Sequence, residues 1–293
     1  MEIKIHNLKK SYGQKAALDN ISLTIENGMF GLLGRNGAGK TTLMQILSTL
    51  REPTSGKVTF DNIPLKDTRQ VRPLIGYLPQ EFSLYPDMSV VEIMRYLAAL
   101  SDLPAEVQHQ RIPDLLQRVN LWEDRGKKVR KLSGGMKRRL GIAQALLHDP
   151  QVLIADEPTV GLDPQERLRF YALLNEFSGN RIVIVSSHIV SDIETVCEKV
   201  AVLDAGKLLF SGAVEDLAQA AAGKVYELTV PKNRQAAVQQ EYCVLSCQGH
   251  LADVKIRVLH DSVPVIGNPV PCMAAVEDGY MEMLRQLEQG VKK

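Results

Sequence analysis

The sequence predicts an α/β fold with a mostly parallel core sheet, and three observations carry the prediction. The apolar run Met29-Phe30-Gly31-Leu32-Leu33 leads into Gly34-Arg35-Asn36-Gly37-Ala38-Gly39-Lys40-Thr41-Thr42, and then into Leu43, Ile46, Leu47 and Leu50 at helical spacing. That is a strand, a tight loop and a helix in succession. Val152–Ala155 and Ile182–Val185 are short apolar runs without alternation, the pattern of strands covered on both faces. Before them, residues 85–148 carry helical apolar spacing at Val90–Leu100, Gln110–Val119 and Gly135–Leu147.

The remaining elements follow in chain order. Residues 1–30 alternate and turn like antiparallel strands, with a turn at Asn27-Gly28. Residues 30–60 hold the glycine loop, its helix and a turn at Pro53-Thr54-Ser55-Gly56. Val200–Asp204 and Lys207–Phe210 form a hairpin through Ala205-Gly206. Ala218–Gly223 reads as a linker. Beyond it, Tyr226–Val230 and Val254–Leu259 read as strands and Ala275–Leu287 as a closing helix. No internal repeat is found. The division expected is a nucleotide-binding domain over 1–218, with a helical subdomain at 85–148, and a small C-terminal domain over 219–293.

Bulk properties narrow the class. The chain has 293 residues, enough for one large domain or two smaller ones. Hydrophobic residues make up 45% and charged residues 24%, the balance of a soluble globular protein. A net charge of +1 points to neither nucleic acid nor acidic lipid. No apolar run approaches a membrane span, and Met1–Ile5 alternates like a strand rather than opening a signal peptide. Cys197, Cys243, Cys247 and Cys272 are dispersed. Cys243-x-x-x-Cys247 is half a metal site with no second half, so reduced thiols are expected.

Three motifs carry chemistry. Gly34–Thr42 fits the phosphate-binding loop G-x-x-x-x-G-K-[ST]. Its glycines let successive N–H groups face phosphate oxygens, and the helix start adds a positive dipole end. Lys40 reaches the β- and γ-phosphates, and the Thr41 hydroxyl can ligate Mg²⁺. GTPases, kinases, motors and transport ATPases all share that loop. Asp156-Glu157 ends the run Val152–Ala155, where a buried strand delivers acids to the phosphate site. Asp156 is expected to hold Mg²⁺ through water, and Glu157 to polarise the attacking water. Ser133-Gly134-Gly135 precedes a helix and forms a second anion cradle. A second cradle makes sense if two copies meet and each faces the other's nucleotide. Lys127-Lys128-Val129-Arg130-Lys131 and Lys137-Arg138-Arg139 read as cations flanking that cradle plus a solvated helix face.

Together these elements resemble the nucleotide-binding subunit of an ABC transporter. The phosphate loop, Gln80, Leu132-Ser133-Gly134-Gly135-Met136, Asp156-Glu157, Gly161-Leu162-Asp163 and His188 occur in that family's order, over about residues 1–218. No N-K-x-D motif of GTPases follows the loop. The resemblance implies a P-loop NTPase core with an antiparallel N-terminal sheet, an inserted helical subdomain and a small C-terminal α/β appendage. It implies ATP with Mg²⁺, hydrolysed to ADP and phosphate. Gly34, Asn36, Gly37, Ala38, Gly39, Lys40, Thr41 and Thr42 would hold the phosphates. Tyr12 would stack on the adenine, as an aromatic face can. Gln80 would sense Mg²⁺ and the attacking water, and His188 would contact the γ-phosphate and hold Glu157. Ser133, Gly134 and Gly135 would close the opposite subunit's site, with Asp163 at the dimer seam.

The resemblance extends to partners. Met136 stands where the family's signature usually ends in Gln, and resembles exporter ATPases made as separate subunits for drugs, lipids and polysaccharides. Val276-Glu277-Asp278-Gly279-Tyr280 resembles the tail of such ATPases. Glu81–Val90 is expected to expose Phe82, Leu84 and Tyr85 beside the groove for a membrane subunit's coupling helix. A separate integral-membrane permease and a homodimer are therefore expected, with the chain peripheral on the cytoplasmic face of the cell membrane and no nucleic acid bound. The alternative is an ABC-type ATPase that acts on ribosomes or DNA. The ribosomal kind carries two ATPase domains and the DNA kind long coiled coils, and neither is seen here.

Overall fold

The structure, a computed structural model, describes residues 1–249 and 253–290; residues 250–252 and 291–293 lie outside the described residues. The chain divides into two compact units, Met1–Ser211 and Gly212–Lys293.

The first unit opens with β1 (Glu2–Tyr12) and β2 (Lys15–Glu26), paired antiparallel with Ile3 opposite Ile25 and Ile5 opposite Leu23. Ile3, Ile5 and Leu8 on one strand and Ile21, Leu23 and Ile25 on the other turn to the core. The register slips between Ile5 and Leu8, where Asn7 adopts a left-handed φ of 48° that asparagine tolerates better than most residues. β3 (Gly28–Leu33), α1 (Lys40–Leu47), β4 (Ser55–Phe60) and β5 (Ile63–Pro64) follow. The N-terminal sheet runs β2-β1-β4-β5.

Next come α2 (Thr68–Val71), β6 (Ile75–Leu78), α3 (Val90–Leu100), α4 (Ala105–Arg118) and α5 (Gly134–Ala145). Ser89 and Glu92 close a capping box at the start of α3. Arg111 on α4 donates from Nε to Leu147 O and from Nη2 to Leu146 O, both at 2.9 Å, satisfying carbonyls past the end of α5. Then come β7 (Val152–Ala155), α6 (Pro164–Ser178), β8 (Ile182–Ser187), α7 (Val190–Val196), β9 (Lys199–Asp204) and β10 (Lys207–Ala213). A six-stranded sheet runs β10-β9-β3-β8-β7-β6, with β3, β6, β7, β8 and β9 mutually parallel. Every residue of β7 and β8 is buried, which is why their sequences show no alternation. α1 packs with the inner face of the N-terminal sheet in one core that includes Met44, Leu47, Phe60 and Ile184.

The second unit holds α8 (Val214–Ala218), β11 (Val225–Pro231), α9 (Gln235–Glu241), β12 (Cys243–Gly249), β13 (Asp253–Leu259), β14 (Val270–Pro271) and α10 (Val276–Gly290). Its antiparallel sheet runs β12-β13-β11-β14. The linker expected at Ala218–Gly223 is corrected here. Residues Gln219–Ala221 form a 3-10 turn that continues α8, Ala221 is fully buried, and both elements pack against α10. Alanine-rich sequence looks like a spacer, but its small side chains also permit close helix contact. The closest approach is at Gly279, where a Cβ would fall 1.8 Å from Leu217 O. Gly279→Ala is therefore expected to lower the stability of this unit by roughly 1–3 kcal/mol, as overpacking does. Urea unfolding followed by far-UV circular dichroism checks it, and an unchanged midpoint would remove the contact from the account.

Candidate functional site

Strand register assembles the site. Leu33 of β3 pairs with Ser187 of β8, so Gly34 and His188 leave adjacent strands side by side. Ala155 of β7 pairs with Val185, which sets Asp156 against Ser186. Leu78 of β6 pairs with Ala155, which brings the Gln80 segment alongside. All these segments emerge at the carboxyl ends of parallel strands, where open α/β sheets bind ligands.

The glycine loop is clamped from two sides. The Gly34 N–H donates to Ser187 O at 3.3 Å, and Ala38 O accepts from the Gly206 N–H at 3.0 Å. Gly206 O in turn accepts from the Asp19 N–H at 2.7 Å. Gly39 has φ +107°, and a Cβ there would fall 2.7 Å from Ala17 O, so only glycine fits. Gly39 caps α1 without a side-chain acceptor. The first amides of α1, including those of Thr41 and Thr42, thus have no acceptor within the helix and favour an anion. Asn36 and Gly37 are exposed at the loop tip.

Lys40 is only 5% exposed. Its Nζ donates to Gly34 O at 2.6 Å and Arg35 O at 3.3 Å, and pairs with Glu157 Oε1 at 3.2 Å. The other oxygen of Glu157 lies 3.0 Å from His188 Nδ1. Lys40, Glu157 and His188 therefore form one chain of contacts beside the loop. Asp156 is fully buried, and its Oδ1 accepts from Ser186 Oγ at 2.6 Å. Its Oδ2 is buried with no hydrogen-bond partner. Burial pushes the Tyr77 hydroxyl up from its ordinary value, and the Asp156 charge adds to that. A buried, unpartnered carboxylate oxygen beside a phosphate loop fits a hard divalent cation. No group of three or more His, Cys, Asp or Glu forms a metal site among the described residues.

Two residues in this site were not singled out in the sequence. Ser186 Oγ accepts from the Glu157 N–H at 2.7 Å while donating to Asp156, so one hydroxyl fixes both acids. Arg138 was expected on a solvated helix face and instead is buried, 8% exposed. Its Nε donates to Pro158 O at 2.9 Å, Nη2 to Glu157 O at 2.7 Å, and Nη1 to Gln80 O at 2.6 Å and Pro79 O at 3.2 Å. Burial lowers the guanidinium's pKa, against the charges of Asp156 and Glu157, which raise it. Glu157 itself sits at φ +43°, a left-handed conformation that costs roughly 1–3 kcal/mol for such a residue.

The other expected site residues lie outside this chain of contacts. Ser133 Oγ caps α5 by accepting from the Met136 N–H at 3.1 Å. Ser133 and Gly134 are exposed, while Gly135 is covered by the Glu166 carboxylate, which lies 2.4 Å from where its Cβ would be. Asp163 caps α6 through the Glu166 N–H at 2.8 Å and is exposed. Tyr12 ends β1 with Lys10 Nζ 5.3 Å and the Arg51 guanidinium 5.4 Å from its ring centre. The Gln80 side chain is exposed, and only its carbonyl is tied down. Of the apolar side chains expected to be exposed after Gln80, Tyr85 is, edge-on to Tyr96 at 5.4 Å. Phe82 and Leu84 are half-buried, and the Phe82 ring packs into the space that Gly141 of α5 leaves open.

A phosphate loop at the edge of a parallel sheet, facing a buried Asp-Glu pair and a histidine, defines a nucleoside-triphosphate hydrolase. The ABC transporter family model matches residues 18–160. The linearmycin resistance ATP-binding protein LnrL of Bacillus subtilis is 32% identical over 90% of this chain and 85% of its own length. Nod factor export ATP-binding protein I of Cupriavidus metallidurans is 38% identical over 73% of this chain and 72% of its own. A dimeric ATP-binding cassette solved in a post-hydrolysis state with ADP and Pi superposes with a TM-score of 0.66 at 27% identity, covering 72% of this chain and 98% of that one. The chain belongs to the ABC transporter ATP-binding proteins, and it is an ATP hydrolase. It is the ATP-binding subunit of an ABC transporter, with relatives of the export type.

Proposed function

We propose that the chain drives an exporter, by closing as a homodimer around two ATP molecules while docked on separate membrane subunits. The observation that carries the catalytic part is the Glu157 carboxylate, buried between Lys40 and His188 next to the free oxygen of Asp156. Lys40 exchanges Glu157 for the phosphates when ATP binds, and the loop amides from Gly34 to Thr42 take the remaining oxygens. Glu157, freed from Lys40, takes a proton from the attacking water, and His188 holds it and meets the γ-phosphate. Thr41, Asp156 and the Gln80 side chain would hold Mg²⁺, which neutralises charge on the β- and γ-phosphates. Tyr12 stacks on the adenine once its ring exchanges the neighbouring cations for the base. Ser133, Gly134 and Gly135 of each copy complete the other's site, with Asp163 at the seam. Exposure of Ser133, Gly134 and Asp163 leaves them available for this.

Export is favoured by the export and resistance functions in the relatives' names and by Met136. No helix among the described residues is long and apolar enough to cross a membrane. In the reading proposed here the transport path lies in separate membrane subunits, with this chain docked on their cytoplasmic side. A groove of about 450 Å³ beside the phosphate-loop helix supports docking. Leu50, Leu97, Leu100 and Tyr77 line it, with Leu50 63% and Leu100 64% exposed. Large apolar side chains left open at a groove mark an interface. Mild-detergent purification of the tagged protein from its native cells is expected to bring a polytopic membrane protein, and Leu100→Glu to lose it. Recovery of ribosomes or DNA-bound proteins without a membrane protein would replace this reading.

A further inference from the structure

We propose that Arg138 is a positioning residue for hydrolysis, through which helix α5 sets the carboxylate of Glu157; this rests on Glu157 acting as proposed above.

Arg138 spends its donors on four backbone carbonyls, Pro79 and Gln80 after β6 and Glu157 and Pro158 after β7, with no carboxylate among them. A buried guanidinium hydrogen-bonded only to carbonyls carries a desolvation cost, which the nearby charges of Asp156 and Glu157 oppose. What the fork supplies is geometry. It fixes several acceptors in one plane, which neither an ammonium nor an apolar side chain can do.

The carbonyl it holds most consequentially belongs to Glu157, whose backbone is left-handed at φ +43°. Strained backbone persists only where its surroundings over-determine it. Here three hydrogen bonds hold its backbone: the N–H donates to Ser186 Oγ at 2.7 Å, and the carbonyl accepts from Arg138 Nη2 at 2.7 Å and, at the longer distance of 3.4 Å, from the Val160 N–H within its own loop. Ser186 belongs to β8 of the core sheet. Arg138 belongs to α5, whose N-terminus is the Ser133 cradle. The same helix also grips the Gln80 loop through Phe82 packed at Gly141. A displacement at the cradle therefore moves the Arg138 anchor of Glu157 and leaves the Ser186 anchor in place. The carboxylate is thus aligned by where α5 stands, within one subunit.

The test compares Arg138→Ala and Arg138→Lys with the unaltered chain, each also in a Glu157→Gln background. The readouts are kcat for MgATP, the Kd of a fluorescent ATP analogue, and single-turnover release of labelled phosphate. Arg138→Ala is expected to lower kcat roughly 10- to 100-fold, the scale of a misplaced catalytic group, with Kd changed less than about threefold. Arg138→Lys keeps the charge, loses the fork, and is expected to recover only part of kcat with Kd unchanged. In the Glu157→Gln background Arg138→Ala should lower the residual rate less than about threefold, because the carboxylate it positions is already gone. A purely structural fault would instead multiply with Glu157→Gln. The inference is overturned by Arg138→Ala or Arg138→Lys at the unaltered kcat, by kcat and ATP affinity falling together, or by multiplicative losses. An inactive Glu157→Gln beside a fully active Arg138→Ala refutes this inference alone. A fully active Glu157→Gln refutes the role of Glu157, and this inference with it.

Discussion

Glu157→Gln is expected to bind ATP, hold two copies together and turn over at least about 100-fold more slowly, the scale of a lost general base. The substitution is nearly isosteric, so the fold is retained. The amide oxygen keeps an acceptor for Lys40 Nζ, which also has Gly34 O and Arg35 O. His188 keeps a polar neighbour at the position now 3.0 Å away. Charge decides the sign for binding. Removing one negative charge beside the Lys40 ammonium makes the pocket more favourable to a triphosphate. Lys40 also has less to give up when it turns to phosphate. ATP, but not ADP, should therefore shift the variant to dimer size in gel filtration, while phosphate release nearly stops. Phosphate release at the unaltered rate would remove Glu157 from the mechanism.

Ser186→Ala is expected to cost stability and turnover together. One hydroxyl accepts from the Glu157 N–H and donates to Asp156 Oδ1, in a place with no exposure. Its loss leaves a buried N–H and a second unpaired oxygen on Asp156, whose Oδ2 is already unpartnered. An unsatisfied buried group costs about 1–3 kcal/mol, so roughly 2–5 kcal/mol is expected for the pair, allowing for relaxation. In a domain of this size that lowers the melting temperature by roughly 4–20 °C. Saturating MgATP should restore part of it, because binding stabilises the folded form and, in the function proposed above, the cation would give Asp156 a partner. Calorimetry with and without MgATP reads both effects. A melting temperature equal to the unaltered chain's would mean the two hydrogen bonds contribute little.

What the sequence disclosed and what it hid divide along a physical line. The strands Val152–Ala155 and Ile182–Ser187 stand out because burial on both faces leaves them apolar throughout, save the two serines that end the second. Lys40 and the acids that follow β7 stand out because their positions are defined by short spacings along the chain. Ser186 does not, because a serine at a strand end has many uses, and its role depends on the register of β8 against β7. Arg138 was hidden by helix phase. Lys137, Arg138 and Arg139 are consecutive, yet Lys137 is exposed, Arg138 buried and Arg139 half-buried. Only the packing of α5 against the Gln80 and Glu157 loops reveals which cation faces inward. α6 went unread because its buried positions, Phe170, Tyr171 and Leu174, form a narrow stripe among charges. The Ala218–Gly223 run misled for the opposite reason, since small residues serve spacers and tight contacts alike.

The clamp on the glycine loop has a consequence for the order of synthesis. Ala38 leaves the ribosome early, but the amide that its carbonyl accepts belongs to Gly206, which is made far later. Asp19, on β2, waits for the same turn. Because β3 lies between β8 and β9, the loop's own strand has neither neighbour until those strands emerge. A nascent chain that has reached α6 already carries every residue of the glycine loop and both acids that follow β7. It lacks the framework that gives the loop its shape, so ATP binding marks near-completion of the first unit rather than an early folding step.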